Sequence, residues 1–177
     1  MIKGRNYRHN CSSCGLPEKG EMINGQGLGA VSQLRYGLCR MSFNGCEVIS
    51  VYNALVWLGK PSPLPEIALY MERFRMLMGI FGCYAGRIGR ALERFGAGCV
   101  RADEYRGEKA FIVSYWTGRP FLSSIHTVFC VRERHGIRVY NRYNNRCESQ
   151  LCADFQTFAG YRKPIALYII DTETDTT

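Results

Sequence analysis

The sequence predicts an α+β domain, with helices first and a mainly antiparallel sheet after them, from three observations. Sustained recurrence of apolar residues at helical spacing lies between residues 46 and 96. Short β-branched and aromatic runs bounded by turn residues fill the chain from residue 99 onward. Helical and strand patterns are segregated rather than alternating, which argues against a parallel βαβ sheet.

Residues 1–30 contain CSSCG and the turn-rich NGQGLG, and no sustained periodicity, so they read as an irregular N-terminal segment. A short helix is expected near residues 31–36. VISVYNALVWLG is apolar around most of its circumference, which describes a helix buried inside a domain, and Gly59 suits its C-terminal cap. PSPLPEIALYMERFRMLM predicts a second helix, with prolines at its start and Leu64, Ile67, Met71, Phe74 and Met78 at helical spacing. A third, in AGRIGRALERFG, places Ile88, Leu92 and Phe95 on one side and stops at Gly96. The strands are CVRADEY, FIVSYW, IHTVFCV, IRVYNRY and PIALYIID. One domain over residues 31–171 and a frayed, disordered acidic tail at 172–177 complete the division.

Composition restricts the function classes. The chain has 177 residues, 46% of them hydrophobic and 21% charged, enough for one substantial core. No apolar run reaches the roughly 20 residues of a membrane span, and the start lacks the apolar stretch of a secretory signal. A cytoplasmic protein with free thiols is therefore expected, and most of the nine cysteines read as small buried groups. The net charge of +8 suits an acidic peptide or protein partner. The 18 arginines are spread without a dense basic block, so nucleic acid is not the expected partner.

The chemistry concentrates at three residues. Cys46 stands where SFNG turns into the first helix, and unpaired N–H groups there lower a thiol pKa and can hold an oxyanion. Gly45 beside it reads as room for a substrate backbone. Of three histidines, only His126 lies in a strongly apolar strand, where an imidazole must be hydrogen-bonded or face a cleft. A core histidine satisfied by a carbonyl is the plainer alternative. If IHTVFCV and IRVYNRY pair across RERHG, His126 faces a residue between 141 and 143. Asn141 then reaches the imidazole and fixes its tautomer, or is simply a strand-end asparagine.

NGCEVISVYNALVWLG, IHTVFCV and GIRVYN, in that order, resemble papain-like cysteine peptidases. More narrowly they resemble the bacterial peptidases that cleave bacteriocin leaders after a double glycine, especially their free-standing relatives. The separations of 80 residues from Cys46 to His126 and 15 from His126 to Asn141 match that compact family. The resemblance implies a papain-like fold, with a helical block carrying the nucleophile helix packed on the sheet. It implies a thiol protease with Cys46 as nucleophile, His126 as general base and Asn141 orienting it. Asn44 is the candidate second oxyanion donor, with Gln33 an alternative if the loop folds back. No metal or organic cofactor is implied, and the substrate is a precursor peptide cut after small residues. Two positions depart from the family pattern: Arg40 stands where the family has a glutamine before the cysteine, and Glu47 where it has glycine after it. At the first turn of a helix Glu47 is expected to point to solvent. These departures support an alternative, a catalytically weak or inactive peptidase-fold module that binds a peptide or protein.

Other constellations carry less. Cys11 and Cys14 form one C-x-x-C without a matching pair, since Cys147 and Cys152 have another spacing, and they read as ordinary loop thiols. GQGLG lacks the Lys-Ser/Thr of a phosphate loop. Arg87 and Arg90 read as a solvated helix face.

Overall fold

The computed structural model describes residues 2–16, 20–120 and 122–171; the tail expected to be disordered lies outside them. Helix α1 (Ile2–Cys11) is followed by a 3-10 turn at Ala30–Gln33, a two-stranded ribbon of β1 (Arg35–Tyr36) and β2 (Cys39–Arg40), and the one-turn helix α2 (Met41–Asn44). Then come α3 (Cys46–Trp57), α4 (Leu64–Met71) and α5 (Ile88–Arg94). Strands β3 (Cys99–Ala102), β4 (Ala110–Trp116), β5 (Ile125–Glu133), β6 (Gly136–Tyr140) and β7 (Gln150–Cys152) follow, then α6 (Phe155–Ala159) and β8 (Ala166–Ile170). Helices packed on a six-stranded antiparallel sheet make this an α+β protein.

The sheet runs β3-β8-β4-β5-β6-β7. Helix α3 lies on one face, where its first ten residues are all buried. Ile49, Leu55, Ile67, Leu92, Ile112 and Phe129 belong to the core between helices and sheet. The second core, on the opposite face, joins Phe111, Val113, Val128, Cys130 and Leu167 to Phe155 and Phe158 of α6. Because a strand alternates faces, β5 sends Phe129 and Val131 to the first core and Val128 and Cys130 to the second.

Three local readings are corrected. Residues 2–11 are helical, not irregular. That helix has no apolar stripe and is tied down by asparagines instead: Asn6 Nδ2 donates to Gly37 O (2.8 Å) and Glu72 Oε1 (2.6 Å), and Asn10 exchanges two hydrogen bonds with the Arg35 main chain. The helix expected to run through Met78 ends at Met71 and gives way to 3-10 turns. Glu72, buried, binds Arg75 at 2.8 Å and the Gly37 N–H at 3.2 Å. Met78, with φ 59°, folds back against the ribbon. A Cβ on Gly37 would come within 2.2 Å of Met78 O, so only glycine permits that approach. Residues 31–36, expected as one short helix, instead form the 3-10 turn and β1, and β2, α2, β7 and α6 are each too short to leave a periodic signature.

Candidate active site

Cys46 opens α3, as its position in the sequence suggested. Gly45 before it is required by packing rather than by a substrate. A Cβ there would lie 1.9 Å from Met41 Cγ and 2.7 Å from Met41 O, because α2 folds tightly back on the α3 start. The thiol is 6% exposed.

Its neighbours decide its chemistry. Cys46 Sγ donates to Glu47 Oε2 at 3.3 Å. Glu47, expected in solvent, is 4% exposed and turned inward, where the Cys83 backbone also bonds it. Gly82 leaves that space, since a Cβ on it would come within 3.0 Å of Glu47 Oε2. Burial pushes the Glu47 carboxyl up from 4.5 to about 7. Burial, and then the Glu47 charge, push the Cys46 thiol well above its ordinary value. The N–H and hydroxyl of Thr127 on β5 bond the sulfur and oppose that rise without reversing it. Thr127 Oγ1 is also hydrogen-bonded to Ser114 Oγ at 2.8 Å. The thiol is therefore neutral near pH 7.

His126 adjoins Thr127, but strand alternation puts its ring with Tyr115 on the other sheet face, their centroids 6.2 Å apart. Among the described residues no hydrogen bond joins it to Cys46. Its Nε2 bonds Asn141 O at 2.7 Å, a main-chain carbonyl, as in the plainer core-histidine alternative. Burial holds the imidazole below its usual pKa, against the raising effect of the Asn141 and Arg142 backbones. It is neutral at pH 7, with Nε2–H as the donor to the carbonyl.

The hairpin register lies within the expected range, with Phe129 opposite Tyr140 and Glu133 opposite Gly136. Asn141 leaves the strand at φ 56°. Its side chain turns to the N-terminal segment instead of the imidazole: Nδ2 donates to Gln26 Oε1 (2.9 Å) and Oδ1 accepts from Gln26 N–H (3.0 Å). Its own N–H donates to Asn24 Oδ1 at 2.8 Å. Gln26 Nε2 in turn reaches the carbonyls of Met41 and Ser42, so this amide links the β6 end to the turn before Cys46. Nothing in the local sequence pattern marks Gln26; it lies 115 residues from its partner.

Asn44 does not present a donor to an oxyanion. Its Nδ2 is taken by Tyr36 O at 3.1 Å and by Gly79 O. Gln33 and Arg40 are exposed, and the Gln33 amide bonds Ser32. The structure thus brings Cys46 to Thr127 and His126 to Asn141, but not the thiol to the imidazole. Among the described residues no group of three or more His, Cys, Asp or Glu is placed to hold a metal ion. A cavity of about 960 Å³ on the sheet face away from α3 is lined by residues such as Tyr105, Ile137 and Phe155, and includes none of the site residues.

No family model, curated protein or solved structure matches the chain.

Proposed function

We propose that this protein is a papain-like module that holds a peptide or protein partner at the start of α3 without hydrolysing it. One observation carries the reading: the Cys46 thiol donates to the buried Glu47 carboxyl, while His126 is bonded to the Asn141 main chain. A nucleophilic thiol needs a base that takes its proton and then leaves it as thiolate. Here a carboxylate at 3.3 Å opposes thiolate formation. Asn44, with both amide hydrogens directed at carbonyls, supplies no second oxyanion donor. The test titrates a Gly-Gly-containing precursor peptide into wild type and Cys46→Ser by calorimetry, with mass spectrometry for products. Equal binding and intact peptide are expected; cleaved peptide with the wild type alone would overturn the reading.

A second reading, a cysteine peptidase cutting after small residues, is favoured by a different observation. Thr127, which touches the sulfur, immediately follows His126 on β5, so the thiol and the histidine strand meet. In that reading Cys46→Ala abolishes hydrolysis, and retained hydrolysis would exclude Cys46 as nucleophile.

A further inference from the structure

The loop between α4 and α5 has unusual chemistry. Leu77 and Phe81 are 67% and 65% exposed, with Met76, Met78 and Ile80 also in solvent. Leu38, at the tip of the β1–β2 ribbon, joins them through its N–H to Met78 O at 3.0 Å. Single exposed apolar residues need no explanation, but a contiguous cluster marks a surface that meets another apolar phase.

Much of the loop's backbone is hydrogen-bonded within the loop. Met76 N–H donates to Gly82 O, Gly79 N–H to Met76 O, Ile80 N–H to Leu77 O, and Gly82 N–H to Gly79 O. Leu77 and Met78 hold left-handed φ values of 43° and 59°, a strained shape that presents their side chains outward. Each bond made within the loop lowers the cost of bringing its backbone from water to a membrane interface.

The surroundings are cationic. Neither the ribbon sequence RYGLCR nor the loop sequence RFRMLMGIFGCY contains an acidic residue. Arg35 and Arg40 are both exposed and directly opposite each other across the ribbon, a repulsive pairing that an anion would relieve. Arg73 is exposed at the base of the loop. Helix α1, which touches the ribbon through Asn6 and Gly37, adds Lys3, Arg5 and Arg8 and no acid.

We infer that the 76–81 loop and the β1–β2 ribbon dock this protein on an anionic lipid surface. Leu77 and Phe81 enter the acyl boundary, and Arg35 and Arg40 meet lipid phosphates. This is peripheral attachment, since no helix among the described residues is long and apolar enough to cross a membrane. The inference goes beyond the peptide-binding reading and does not rest on it.

The experiment is co-sedimentation of the full chain with vesicles of phosphatidylcholine, alone or mixed with phosphatidylglycerol. Variants are Leu77→Ser/Phe81→Ser and Arg35→Gln/Arg40→Gln, all at exposed sites, with circular dichroism confirming that each folds. Wild type is expected to bind only the anionic vesicles, and less as salt rises. The arginine pair should weaken partitioning about 30-fold, and the apolar pair should abolish it. No binding to anionic vesicles, or binding that neither pair alters, would overturn the inference. So would a wild-type dimer in sedimentation velocity that becomes monomeric in Leu77→Ser/Phe81→Ser, because a second copy would then occupy the surface.

Discussion

Replacing Glu47 with glutamine keeps the shape of the side chain and removes its charge, so it isolates the electrostatics of the Cys46 site. The folded protein holds this carboxyl at about 7 against 4.5 when unperturbed. That difference corresponds to about 3 kcal/mol. The sign follows from proton counting: between those two values the folded chain binds the Glu47 proton and the unfolded chain does not. The contribution of Glu47 to stability is therefore complete below about pH 4.5 and is lost as pH rises through about 7. Glu47→Gln has no such loss. In urea unfolding the variant should match wild type at about pH 4 and exceed it by about 3 kcal/mol at about pH 8. Titrating groups that do not feel the Glu47 charge cancel between the two proteins. A stability difference that is the same at both pH values would refute the claim that burial raises the Glu47 carboxyl to about 7.

Other substitutions probe the supports of the site. Gly45→Ala places a methyl 1.9 Å from Met41 Cγ and should cost about 1–3 kcal/mol or more in urea unfolding; an unchanged midpoint would contradict the tight α2–α3 turn. Gln26→Ala removes the amide joining Asn141 to Met41 and Ser42, leaving the buried Asn141 Nδ2 without its acceptor, and should cost about 2–3 kcal/mol by the same assay. Thr127→Val removes a hydroxyl that favours the Cys46 thiolate, so site-resolved alkylation should need a higher pH than in wild type. Glu47→Gln should shift the same profile to lower pH.

The helices and strands that carry cores were legible because burial imposes periodicity. The twelve-residue α3, apolar on nearly all sides, and the hairpin β5–β6 follow directly from their sequences. What was hidden depends on contacts distant in sequence. Helix α1 is held by Asn6 and Asn10 rather than by an apolar stripe, so no moment betrays it. Glu47 at a helix start favours solvent on local grounds, and turns inward because Gly82 and the Cys83 backbone make room for it. The approach of the Cys46 helix to the His126 strand could be read from motif order. Which face of β5 each side chain takes could not, because that follows from its register with β4, where Tyr115 pairs with His126 and Ser114 with Thr127.

The central claim is that Cys46 is a neutral thiol bonded to Glu47 and unaided by His126. Its most direct test is alkylation of Cys46 by iodoacetamide as a function of pH, resolved from the other eight thiols by peptide mass spectrometry, in wild type and His126→Ala. Slow reaction through neutral pH, rising only on the alkaline side and identical in both proteins, is the predicted result. Fast reaction on the acid side that disappears in His126→Ala would contradict it, and would establish the thiolate–imidazolium pair of a working cysteine peptidase.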